Sequence, residues 1–220
     1  MNQRKSLRGY TRPMAVVAVM SALSIVLMML EFSVPIVPSF LKLDISDFPA
    51  LLTSFAIGPW AGVAVCLLKN LLHLFFTSTA GVGELANFII SAAFVFPAGV
   101  IYSRVRTKTG AVVGAFAGAL VSALACVPVN YFITYPFYAK VMIPMNVIIG
   151  MYQAILPFVD GLLEALLIFN LPFTFAKGAI CILLTFLVYR RALPRTLSSI
   201  FSSSSTAVLL TAASVSVSTV

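Results

Sequence analysis

Residues 41–73 read LKLDISDFPALLTSFAIGPWAGVAVCLLKNLLH. Lys42, Asp44 and Asp47 crowd its first positions, although only 9% of the chain is charged. A long apolar run follows, broken once at IGPW (57–60), and Gly followed by Pro is a turn signal. Read as one helix, this run crosses a membrane once. Read as two helices joined at Gly58 and Pro59, it returns to the side it left. The distribution of charge along the rest of the chain decides between the two.

Of the 220 residues, 61% are apolar, against about 45–50% in a soluble domain, so the chain is an integral membrane protein. Its length allows about five to seven spans of about 20 residues each, with little left for a soluble domain. The net charge of +8 comes mainly from three clusters: Arg4, Lys5, Arg8 and Arg12; Arg104, Arg106 and Lys108; Arg190, Arg191 and Arg195. The six acidic residues, Glu31, Asp44, Asp47, Glu84, Asp160 and Glu164, all lie elsewhere. Basic segments stay on the cytoplasmic side of a membrane, and only the two-helix reading of 49–76 puts all three clusters there. The charge therefore reports topology, and no nucleic-acid partner is expected.

The expected fold is an all-α membrane protein, a six-transmembrane-helix bundle with N- and C-termini cytoplasmic. Residues 1–12 form a basic cytoplasmic N-terminus, 13–192 the six-helix membrane domain, and 193–220 a low-complexity, disordered tail. The first span is Pro13 to Leu30, with Pro13 suited to a first helical turn. An external loop covers 31–48, where Asp47 is placed to cap the second helix. A third helix ends near Phe76, a fourth runs from Glu84 to Ile101, and a fifth runs from Gly110 to Asn130. A long aromatic external segment (130–146) follows, and the last span is Gly161 to Tyr189. The piece VIIGMYQAILPF (147–158) is too short to cross a membrane and reads as external loop or as the start of the last helix.

An ionisable group within a span costs about 2.5–3.5 kcal/mol on insertion scales and needs a reason. Lys177 is the sharpest case. With Asn170 and Thr174 it is spaced i, i+4, i+7 on one helical face, and Asp160 and Glu164 extend nearby faces outward. The stripe indicates a solute pocket; the blander reading is that Lys177 pairs with an acidic neighbour. Glu84, Asn87 and Ser91 form a second stripe, explained almost equally well by capping and interhelical bonding. Lys69 and His73 stand four apart, and a single histidine is more often structural than a metal ligand. Gly110, Gly114 and Gly118, like Ala18 and Ala22, permit close helix approach. Cys66, Cys126 and Cys181 lack the spacing of a disulfide framework or a zinc site. The sequence contains no phosphate-binding GxxxxGK[ST], HExxH or GxSxG motif.

With those residues in place, the chain resembles the substrate-binding S components of energy-coupling factor (ECF) vitamin transporters, of the riboflavin-specific type. The likeness spans about 12–192. It is carried by residues 41–73 above, GELANF (83–88), PVNYFITYPFY (128–138) and LPFTFAKG (171–178). The resemblance implies capture of riboflavin as transported ligand, with no cofactor and no metal, at a bacterial cell membrane. It implies substrate contacts from Leu43, Asp44, Glu84, Asn87, Asn130, Thr174 and Lys177. It also implies docking of Ala18 and Ala22 on an ECF coupling membrane subunit that works with two ABC-type ATPases. Thr174 stands where that type usually has asparagine, and it reaches less far. The alternatives are an S component for thiamine, pantothenate or a folate, or an intramembrane enzyme using Asp160, Glu164 and Lys177.

Overall fold

The computed structural model describes residues 3–38, 40–77 and 79–187. The expected tail and the third basic cluster lie outside them. The chain clusters into two units, Met1–Ile182 and Leu183–Val220; the helices, ribbon and cavity described below belong to the first, and the last helix alone runs on into the second. Helix α1 is Gln3–Met29. Strands β1 (Phe32–Ser33) and β2 (Lys42–Leu43) follow, then helices α2 (Asp47–Ala56), α3 (Pro59–His73), α4 (Val82–Arg104) and α5 (Lys108–Val129). Beyond α5 come a π-helical segment (Asn130–Thr134), α6 (Tyr135–Val141) and α7 (Met145–Gln153). The last helix, Leu162–Leu187, begins as α8 (Leu162–Ala165) and passes through a second π segment, Leu166–Asn170.

Among the described residues, five helices are long and apolar enough to cross a membrane: Thr11–Met29, Pro59–Phe76, Val82–Arg104, Lys108–Val141 and Leu162–Leu187. The run that opened the sequence is divided as expected. Helix α2 ends at Ala56, Gly58 takes φ 146° and Pro59 starts α3. A Cβ is strained at such a φ, and Pro fits the first turn of a helix, where its missing N–H is not required. At ten residues, α2 is about 15 Å long.

Helix α5 has the polarity of a membrane helix, with its small residues inside and its large apolar ones outside. Ala111, Gly114, Ala115, Gly118, Ala119 and Ser122 are buried, whereas Val113, Phe116, Leu120 and Leu124 are exposed. Lipid is as apolar as leucine, so close backbone contact rather than water exclusion holds such helices together. The glycines permit that contact against α4: a Cβ on Gly114 would lie 2.8 Å from the carbonyl oxygen of Ala98. Gly110 serves differently, fitting against Val105 in the preceding turn.

Three expectations change. The 130–146 segment is helical through Val141, because the π segment leads directly into α6, where Pro136 occupies the first turn. Residues 147–158 hold most of α7, a separate short helix packed on α6 and α8 through buried Ile148 and Tyr152. Asp47 does not cap α2. Ser46 occupies that position without a side-chain cap bond, and Asp47 is the first helical residue, its carboxylate taken by a lysine of α3. The ribbon β1–β2, paired Phe32↔Leu43 and Ser33↔Lys42, was not expected, since two-residue strands are too short to show alternation.

Helices α2, α3 and α4 meet at Gly62, where a Cβ would stand 2.5 Å from Val95 Cγ1 and 2.6 Å from Ser54 Cβ. Gly62→Ala should therefore destabilise the bundle by about 1–3 kcal/mol, whereas Gly150→Ala, with nothing within 4 Å, should not. Thermal unfolding of the two variants in detergent checks the contrast.

Candidate functional site

The loop between α1 and α2 is fastened from several directions. Lys42 pairs with Glu31 across the ends of the ribbon. Just past the ribbon, Asp44 Oδ1 accepts from the Ser46 backbone N–H at 2.8 Å and from the Ser46 hydroxyl at 2.5 Å. The Ser46 carbonyl accepts from the Ser24 hydroxyl of α1 at 2.9 Å. Lys69 of α3, 0% exposed, donates to Ser46 Oγ at 2.7 Å and to Asp47 Oδ1 at 2.5 Å. From the last helix, Lys177 donates to Asp44 Oδ2 at 2.8 Å and stands 3.7 Å from Asp47 Oδ2.

Two lysines and two aspartates thus form a neutral buried group. Taking each charge from water costs several kcal/mol, which is offset only when partners and hydrogen bonds are as complete as these. Burial alone would raise the Asp44 carboxyl, but Lys177 and Lys69 outweigh it and hold it below its ordinary value of 3.8. Lys177 is paired with Asp44, and it also lines a cavity.

That cavity has a volume of about 340 Å³, within the roughly 300–1,000 Å³ of small-molecule sites. Phe40, Phe94, Phe173, Tyr135 and Tyr138 supply aromatic walls. Asp44, Glu84, Asn87, Asn130, Thr174 and Lys177 all line it. Leu43 does not; it is buried in the ribbon, paired with Phe32. Glu84 accepts from Thr79 Oγ1 at 2.9 Å and lies 3.0 Å from His73 Nδ1, while Asn87 donates to Asn70 at 3.0 Å. Ser91 is buried and does not line the cavity. Among the described residues, no His, Cys, Asp and Glu are grouped to hold a metal ion, and the three cysteines are buried and unbridged.

Asp160 and Glu164 do not join the lining. Both are exposed, and Glu164 accepts from the Asp160 backbone N–H at 2.9 Å. Asp160 precedes the last helix, which begins at Leu162, and Glu164 lies about 120° round the helix from the face shared by Asn170, Thr174 and Lys177. Those three side chains keep their common face and line the cavity. Sequence reasoning placed Asn170 on the pocket-facing stripe, left out Asp47, Phe40 and Tyr135 as lining residues, and missed Lys69 as counter-ion. Lys69 carried a usable signal, because a lysine within an apolar helix requires an acidic partner.

Comparison with known proteins follows the same lines. Residues 12–189 match the family described as ECF transporter, substrate-specific component; the chain belongs to that family, which comprises transporters and not enzymes. It is 31% identical over 192 residues to the riboflavin transporter RibU of Staphylococcus aureus (strain TCH60), covering 87% of this chain and 96% of that one. It is 34% identical over 130 residues to the riboflavin transporter FmnP of Bacillus subtilis (strain 168), covering 58% and 68%. A solved structure, described as that of the S component of a bacterial ECF transporter, superposes with a TM-score of 0.67 at 31% identity, over 83% of this chain and 96% of the other.

Two outcomes test the charged group. Lys69→Met leaves Asp47 without its closest cation and should cost about 3–5 kcal/mol of stability; adding Asp47→Asn should recover part of the loss, read by thermal unfolding in detergent. Because the Asp44 carboxyl is depressed in the folded state, its contribution is complete above about pH 4 and is lost only as pH falls through its lower folded value. The stability difference between wild type and Asp44→Asn should therefore be constant from pH 8 to pH 5 and shrink below about pH 4.

Proposed function

We propose that the chain is a riboflavin-capturing substrate-specific component of an ECF transporter in a bacterial cell membrane. The observation that carries this reading is the cavity itself, with aromatic walls and separate polar groups, in a chain that aligns with 96% of the length of a riboflavin transporter. The isoalloxazine ring is flat and apolar on its faces, suiting Phe40, Phe94, Phe173 and Tyr135. Its carbonyls and the ribityl hydroxyls suit Asn130, Thr174, Lys177, Asn87 and Glu84. With Lys177 already neutralised by Asp44 and Asp47, its remaining hydrogens serve a neutral ligand.

In this reading the chain crosses six times, α2 being the short second crossing, with both termini cytoplasmic and the β1–β2 loop outside. Residues 13–192 form the membrane domain and 193–220 a tail outside it. Ala18 and Ala22, exposed on α1, dock on the coupling membrane subunit, and two ABC-type ATPases supply the energy. Their small side chains suit close helix contact.

Titrating the purified, detergent-solubilised chain with riboflavin should give saturable quenching of flavin fluorescence. Lys177→Ala and Asn130→Ala should each raise Kd roughly tenfold or more. Absence of quenching by folded wild-type protein would discard riboflavin and turn the search to thiamine, pantothenate or a folate.

A further inference from the structure

Tyr152 of α7 is fully buried and does not line the cavity, yet it contacts two residues that do. Its hydroxyl donates to Asn170 Oδ1 at 2.7 Å and lies 2.5 Å from the Tyr135 hydroxyl, while Asn170 Nδ2 donates to that same Tyr135 oxygen at 3.1 Å. Each phenol has one proton. Each hydroxyl therefore donates once and accepts once, and Tyr135, Tyr152 and Asn170 close a ring of three hydrogen bonds. All three residues are at most 2% exposed.

The ring has a consequence for the cavity. With both ends of its amide bonded to the two tyrosines, Asn170 is held against the cavity wall, and one of its amide hydrogens remains outside the ring. Phe40 of the first loop packs edge-on against both tyrosines, at 5.9 Å and 5.7 Å between centroids. The same three side chains thus join the loop before α2, α6, α7 and the last helix.

We propose that Tyr152 is a positioning residue for ligand capture: by closing this ring it fixes Asn170 as a hydrogen-bond donor toward an acceptor atom of the ligand, a carbonyl or hydroxyl oxygen. The inference rests on the riboflavin reading above. Neither a buried tyrosine at a helix contact nor an asparagine in a cavity wall would alone require this arrangement; the closure of the ring does.

The test is a double-mutant cycle on riboflavin affinity, using the full chain in detergent and fluorescence quenching. Tyr152→Phe keeps the ring packing and should raise Kd roughly tenfold. Asn170→Ala should raise it at least as much. If Tyr152 acts through Asn170, the double variant should be no weaker than Asn170→Ala alone. Tyr135→Phe, which breaks the same ring at another bond, should behave as Tyr152→Phe does. Additive losses in the cycle, or an unchanged Kd in Tyr152→Phe, would overturn the proposal while leaving riboflavin capture intact. Failure of the wild type to bind riboflavin would instead overturn the functional reading, and this inference with it.

Discussion

The group formed by Asp44, Asp47, Lys69 and Lys177 fixes the relation between one loop and three helices. None of its charges is affordable alone in an apolar bundle, and each is acceptable only where the other three stand. A lysine at the middle of α3 and another in the last helix therefore dictate where the short stretch 44–47 must lie, although Lys177 is 133 positions from Asp44. Ser46 and Ser24 extend the constraint to α1 by uncharged bonds. Once this stretch is pinned, the residues before it, the ribbon and Phe40, have little choice but to cover the cavity.

Packing supplies the complementary rigidity. Gly62 and Gly114 set backbone against backbone among α2, α3, α4 and α5, while large apolar side chains turn outward to meet lipid. A bundle assembled this way has no spare volume among its small residues. The space that remains lies among aromatic and long polar side chains, around Phe94, Asn130, Phe173 and Lys177. The first loop and α7 close it off.

Much of this was legible in the sequence. The break at Gly58–Pro59, the small-residue face of α5 and the Asn170–Thr174–Lys177 stripe each follow from a local rule that the structure obeys. The losses share a cause as well. Asp47 looked like a cap because local spacing cannot reveal a counter-ion 22 residues away. Leu43 came from resemblance alone, and its strand pairing turns it into the ribbon. The segment 130–141 looked like a loop because its aromatics and Pro136 mask a helix that continues through a π turn. Asp160 and Glu164 were read as extending the stripe outward, although Asp160 precedes the last helix and Glu164 lies on another of its faces.

Those two π segments, Asn130–Thr134 and Leu166–Asn170, each carry an asparagine of the cavity wall at one end. A π turn is one residue more than an α turn, so the chain here is counted as well as spelled. Winding the same residues as a regular helix would swing Tyr135 and Tyr138 by about 100° relative to α5, dismantling the aromatic wall without altering any residue that forms it. The site is therefore encoded partly in the winding of the backbone: the extra residue in each turn sets which way the side chains beyond it face.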